Sequence, residues 1–401
     1  MSGVRAVVVG GGIIGTAVAR ELLHSGTATE VTLFEKEAAL STHQTGHNSG
    51  VVHAGLYYEP GGLKATLCRR GVGLLRELAA RRNVPFDECG KVVVARDEAE
   101  RGRLHAIHAR AVANGVPGVR LIDRDELAVL EPHARGIAAL HSPTTAIIDY
   151  PAATRALAAD FTEAGGTVRL GTPVRSLTDD GGRVTVELGT APEVFDLAVN
   201  CTGLQSDRLA ARSGDGRSPR IVPFFGAYFL LRPERRAMVN GLIYPVPDPR
   251  YPFLGVHLTR RIDGEVMVGP NAFLAAGREA YGPWRASARD LADVAGFGGF
   301  WRFAAGNVPA AFREGRTVAS KRAFVAAARA YVPELRVADV VPGGRGIRAQ
   351  AMNDDGSLVD DFVITGSRRL LHVRNAPSPG ATSSMAIAEH IVRQAAERLA
   401  A

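Results

Sequence analysis

The chain has 401 residues, 46% hydrophobic and 22% charged, enough length and apolar content to bury a large core. These proportions exclude a disordered, collagenous or disulfide-stapled protein. Lysine and arginine number 48 against 41 acidic residues, a net charge of +7, but they are scattered in short pairs such as Arg69-Arg70, Arg235-Arg236 and Arg260-Arg261. That scatter, with no basic helix, argues against nucleic acid as a partner.

In chain order, residues 5–10 (RAVVVG) form a continuous apolar run, as in a strand covered on both faces of a parallel sheet. A helix is predicted from Ile13 to Leu23, and EVTLFEK (30–36) reads as a second strand, completing a β-α-β unit. No run reaches the roughly 18 residues of a membrane-spanning helix, and no secretory signal precedes the first strand. A cytoplasmic protein is therefore expected, and its basic balance also suits peripheral contact with the inner face of an anionic membrane. A helix follows over about 63–82, then a strand over 90–95. Residues 167–188 predict a strand and a hairpin turning at Asp180-Gly181, and 195–203 another buried strand.

The polar stretch 212–220 is the best linker. Alternating apolar runs over 221–270 predict an antiparallel sheet with one covered face, and 284–333 reads mostly helical. The tail predicts a strand, a Pro/Gly loop and a helix with the stripe Met385, Ala388, Ile391 or Val392, Ala395 and Leu399. Cys68, Cys89 and Cys201 are far apart and form no CxxC, so neither disulfide, zinc cage nor other metal site is expected.

Four constellations carry chemistry. Gly10-Gly11-Gly12-Ile13-Ile14-Gly15 joins the first strand to the first helix, and Glu35 ends the next strand twenty residues after Gly15. Gly10 makes the turn, Gly12 opens backbone N–H groups to a pyrophosphate, Gly15 permits close helix–strand packing, and Glu35 accepts ribose hydroxyls. A dinucleotide is expected here. His43-Gln44-Thr45-Gly46-His47-Asn48-Ser49-Gly50, running on to His53 and Tyr57-Tyr58, suits a loop laid against a cofactor; a plain polar loop has the same composition. In Gly380-Ala381-Thr382-Ser383-Ser384, Thr382 or Ser383 makes an N-cap; aimed at a flavin, the same helix end would stabilise reduced-state charge. In Gly346-Ile347-Arg348-Ala349-Gln350, a buried arginine can clamp a carboxylate with two hydrogen bonds, whereas an exposed one is an ordinary surface charge.

With these in place, the chain resembles the D-amino-acid-oxidase-like (DAO) FAD-dependent oxidoreductases, and within them the L-2-hydroxyglutarate dehydrogenase/oxidase family. The stretches that carry the likeness include HQTGHNSGVVHAGLYY (43–58), DECGKVVVA (87–95), CTGLQSDRL (201–209), IYPVPDPRYPFLGVHLT (243–259) and LHVRNAPSPGATSS (371–384). The resemblance implies a Rossmann-like α/β FAD domain of the DAO type with an inserted mixed α+β substrate domain built on an antiparallel sheet. The FAD domain would comprise 1–85, 145–218 and 335–401, the substrate domain 86–144 and 219–334. Besides the glycine turn and Glu35, it implies non-covalent FAD contacts from Lys36, Thr45, Gly46, His47, Asn48, Ser49, Gly50, Thr202, Gly203, Arg348, Gly380, Ala381, Thr382 and Ser383. It also sets Val174 on a strand beside the adenine. His47 falls where some relatives join FAD covalently.

The implied reaction is oxidation of L-2-hydroxyglutarate to 2-oxoglutarate, with hydride passing from C2 to flavin N5. Arg348 would bind the C1 carboxylate, and His53 or His257 would be the base, a neutral histidine near its ordinary pKa of about 6.5. Tyr57, Tyr58, Tyr244, Lys64 and Arg261 are available to the distal carboxylate. The alternatives are a DAO-like enzyme acting on amino acids, secondary amines or glycerol phosphate, and a flavin-binding redox module without turnover. The electron acceptor (oxygen, a quinone or a soluble carrier) is left open.

Overall fold

The computed structural model describes residues 3–249, 255–282, 284–308, 315–318 and 320–401. The part of the YPVPDPRYPFLGVHLT stretch from Arg250 to Leu254 lies outside the described residues, as do 309–314 within the helical region. Two large sheets organise the chain. In the first, β1 (Arg5–Val9) lies between β2 (Glu30–Phe34) and the strand Leu197–Asn200, all parallel. Thr167–Arg169 extends one edge, Leu370–Asn375 the other, and Val363–Gly366 closes it antiparallel. Ala6, Val7 and Val8 are fully buried, as a continuous apolar run requires when both faces of the sheet are covered.

One face carries α1 (Ile13–His24) with the helices Leu63–Arg82, Tyr150–Glu163 and Ser384–Ala400, whose apolar stripes share one core. The predicted terminal stripe is there: Met385, Ala388, Ile391, Val392 and Ala395 are buried, and Leu399 packs at its edge. On the other face sits the predicted hairpin, Ser176–Asp179 against Val184–Glu187, extended by Glu193–Phe195.

The second sheet has nine strands, ordered Phe273–Leu274, Arg220–Leu231, Val266–Gly269, His257–Arg260, Leu242–Pro245, Lys91–Ala95, Ala138–Ser142 and Arg120–Asp123, with Val340–Met352 paired to Arg220–Leu231. It is antiparallel except where Leu242–Pro245 runs parallel to Lys91–Ala95, a pairing that alternation within 221–270 does not contain. The stretch 340–352, expected in the FAD-binding part, belongs to this second sheet. Its long apolar partner strand offers a full ladder of backbone groups, and this outweighs proximity in sequence to the tail.

The 212–220 connection is pinned rather than loose. The wholly buried Arg374 donates to Asp215 Oδ2, Gly216 O and Pro219 O. In the helical region the described helices are Ala288–Ala295, Gly298–Gly306 and Lys321–Arg329. Among the described residues no helix is long and apolar enough to cross a membrane.

Candidate active site

A cavity of about 1080 Å³ lies between the two sheets, beyond the range of about 300–1,000 Å³ usual for small-molecule sites. One end is the glycine turn. Gly10 has φ +114°, and a Cβ there would stand 2.6 Å from Cys201 O; one on Gly15 would stand 2.0 Å from Gly10 O. Both positions therefore exclude any side chain. Gly12 caps α1 without a side-chain hydrogen bond, and apart from Ile13 N, which donates to Thr45 Oγ1, the first turn is left to an anion.

Glu35 Oε2 accepts from Gly11 N at 2.6 Å and Oε1 from Glu37 N at 2.9 Å, so each oxygen keeps one lone pair for a ribose hydroxyl. Lys36 bonds His43 Nε2 at 2.9 Å and Glu279 Oε2 at 3.0 Å and also pairs with Glu37. Its ammonium thus sits among Glu37, His43 and Glu279, whose ligand atoms lie close enough together to hold a cation.

The loop 43–50 folds on itself. Asn48 Nδ2 donates to Thr45 O at 2.7 Å, Asn48 Oδ1 accepts from Gly50 N at 2.8 Å, and Thr45 Oγ1 accepts from Ile13 N at 3.1 Å. Thr45, His47, Asn48 and Ser49 line the cavity, while Gly46 and Gly50 shape the loop without lining it. His47 stacks on Tyr281 at 3.9 Å, a partner with no signal in the sequence. Thr202, Gly203, Gly380 and Ala381 also line the cavity.

Two expectations are corrected. Val174 lines the cavity from the connection between two strands, not from a strand. Ser383 holds the N-cap position of the last helix but makes no capping bond. Thr382 instead bonds His53 N at 3.1 Å and Tyr150 Oη at 3.0 Å, tying that helix to the 51–58 segment.

At the other end Arg348 reaches into the cavity from Val340–Met352, two residues beyond Gly346, where a Cβ would stand 2.7 Å from His47 O. Arg348 is exposed toward the cavity it lines, while the surrounding protein desolvates the guanidinium and lowers its pKa. His53, His257, Tyr57, Tyr58, Tyr228 and Tyr244 face the same space. Tyr244 and His257 are neighbours across adjacent strands, their rings 4.0 Å apart. Lys64 and Arg261 do not line the cavity: Lys64 pairs with Asp360 at 2.6 Å and Arg261 with Asp263 at 3.2 Å. Tyr228 and the buried Lys91 behind the tyrosines escaped sequence reasoning. The one signal for Lys91 was a charge opening the apolar run VVVA.

The histidines are not near their ordinary pKa. Burial, then Lys91, His257 and Arg348, push His53 down to about 3; burial pushes His257 down to about 3, with Lys91 adding to it. His372, 1% exposed and 3.1 Å from Asn200 Nδ2, is pushed by burial to about 4. Above the unfolded value near 6.5 both states are neutral, so nothing is lost. As pH falls below it, the unfolded chain takes up protons that the folded chain refuses, so stability declines. At pH 5 the expected loss is about 2 kcal/mol for each of His257 and His372. Thermal unfolding at pH 7.5 and pH 5 checks this; an unchanged midpoint would contradict it.

The glycine turn, Glu35 and a cavity continuous to a deep arginine fit an FAD, with the last helix tied beside it. The fold and this site define a flavin-dependent oxidoreductase. Residues 5–394 match the model of the FAD dependent oxidoreductase (DAO) family, and the chain belongs to it. The L-alpha-glycerophosphate oxidase of Mycoplasma pneumoniae, solved with FAD bound, superposes with a TM-score of 0.78 at 23% identity, covering 100% of this chain and 96% of that one. Within the family, the chain groups with the L-2-hydroxyglutarate dehydrogenases. It is 45% identical to the mitochondrial one of Caenorhabditis elegans over 98% of this chain and 93% of the relative. To that of Indibacter alkaliphilus it is 39% identical, over 98% of each.

Proposed function

We propose that this chain oxidises L-2-hydroxyglutarate to 2-oxoglutarate. The observation that carries this is the convergence of a deep arginine and two neutral histidines at the far end of a dinucleotide-sized cavity. Arg348 takes the C1 carboxylate in two parallel hydrogen bonds, which also fixes the face that C2 presents. FAD, when bound, accepts the hydride leaving C2.

His257 is the base. Its Nδ1 lies 2.9 Å from Gly255 O, which only accepts, so Nδ1 carries the proton and Nε2 keeps its lone pair for the substrate hydroxyl. Burial keeps the ring unprotonated, and the approach of two carboxylates raises its pKa toward the working range. His53 faces the same space and holds the substrate hydroxyl in line, while Tyr57, Tyr58 and Tyr244 serve the distal carboxylate. The glycine turn and the loop 43–50 would hold the pyrophosphate of FAD, Glu35 its ribose, and His47 would contact it without a covalent bond.

The flavin-loaded protein, mixed without oxygen with L-2-hydroxyglutarate, is expected to lose its absorbance at about 450 nm, while the D enantiomer leaves it intact. Bleaching by an amine or glycerol phosphate and not by L-2-hydroxyglutarate would overturn the assignment. We further propose a cytoplasmic enzyme whose +7 charge suits peripheral contact with the inner face of an anionic membrane. Recovery with anionic vesicles at low salt and release at high salt are the expected behaviour.

A further inference from the structure

We propose that Lys91 and Tyr57 form the receptor for the substrate's second carboxylate and so select a dicarboxylate over a monocarboxylate hydroxy acid. The proposal rests on the substrate reading above. Lys91 opens the strand Lys91–Ala95 and is 3% exposed. Its Nζ lies 3.8 Å from the centre of the Tyr244 ring and 4.9 Å from that of Tyr57. Among the described residues it has no carboxylate partner, and burial alone pushes its pKa down to about 7. A buried ammonium held only by ring faces costs several kcal/mol unless an anion arrives. The Tyr57 hydroxyl, a cavity-wall donor, is itself buried with no partner among the described residues. Two unmet demands of the same sign, for an acceptor and for a negative charge, stand side by side.

The sheet explains why they meet. Leu242 registers with Lys91 and Tyr244 with Val93, so alternation puts Lys91 and Tyr244 on one face, the face that the 53–58 segment covers. The groups facing Lys91 are Tyr57 and His53 from that segment, Tyr244 from the adjacent strand and His257 from the next. All are neutral at pH 7, with burial raising the phenols and lowering the imidazoles. His53 feels both the Lys91 ammonium and the Arg348 guanidinium. His53 thus lies under the influence of both cationic ends and His257 of the Lys91 end, matching a short dianion with its hydroxyl near one end. Lys91 acts from behind the rings as a positioning charge, and the Tyr57 hydroxyl makes the contact.

The test compares L-2-hydroxyglutarate with L-2-hydroxypentanoate, which replaces the second carboxylate by a methyl group. In flavin-loaded Lys91→Met the kcat/KM ratio of the two acids is expected to fall about 30-fold or more, chiefly through KM, with a smaller fall of about tenfold in Tyr57→Phe. The dissociation constant of glutarate, read from the flavin spectrum, should weaken in the wild type by about tenfold per pH unit above pH 7, and stay flat there in Lys91→Met. A ratio unchanged in both variants, or the same pH dependence in Lys91→Met, overturns the proposal. If the wild type oxidises neither acid, the substrate reading fails instead, and glutarate against pentanoate binding still tests the receptor.

Discussion

Arg348→Met is expected to lower kcat/KM for L-2-hydroxyglutarate by about three orders of magnitude. The substitution keeps much of the length and apolar stem but removes the planar fork and its charge, so the C1 carboxylate enters a deep site without a counter-charge. Position matters as much as charge. Arg348 sits opposite Phe224 in a long antiparallel register, which holds its backbone to the sheet rather than to a movable loop. Arg348→Lys should therefore recover only part of the loss, because a point charge cannot reproduce two parallel hydrogen bonds. Steady-state kinetics of the three proteins, with flavin content checked by absorbance, measures this. A Met variant within tenfold of the wild type would remove Arg348 from substrate binding.

His257→Asn is expected to lower kcat by about 10²- to 10⁴-fold, the usual contribution of a general base. Asparagine can still donate to Gly255 O, so the local hydrogen bond survives while the proton acceptor is lost. Flavin bleaching at saturating substrate isolates the oxidative half-reaction, and that rate should carry the loss while substrate affinity changes little. Its acid limb, set by protonation of the histidine in the complex, should vanish in the variant. His53→Asn is the control. A deeper defect there than in His257→Asn, with the acid limb gone, would transfer the role of base to His53, whose ring lies against the same cations.

Much of the first sheet and the cofactor end was legible in the chain. The run Ala6–Val9, the glycine turn and Glu35 are contiguous or nearly so, and each obeys a short-range rule. Gly10 needs its positive φ and Gly15 its contact with Gly10 O whatever the rest of the molecule does. The HQTGHNSG loop was legible as a dense polar segment, although its role in folding back through Asn48 was not. The far end was harder. The distal-carboxylate list included Lys64, which pairs from outside the lining with Asp360 on the cavity wall, and Arg261, which pairs with Asp263, and it omitted Lys91. Burial of Lys91 against Tyr57 and Tyr244, and pairing of Lys64 with Asp360, depend on residues brought together from distant parts of the chain.

By itself the sequence determined the β-α-β entry, the amphipathic helices, the hairpin and the family to which the chain belongs, because backbone preference, apolar period and turn chemistry act over a few residues. The tertiary structure alone decided that Val340–Met352 joins the second sheet, that Thr382 ties the last helix to the histidine segment rather than capping it, and that Lys91 stands behind Tyr57 and Tyr244. It also decided the protonation of His53 and His257. Those outcomes follow from desolvation and from charges brought together across the chain, energies that exist only once the two sheets have closed on one another.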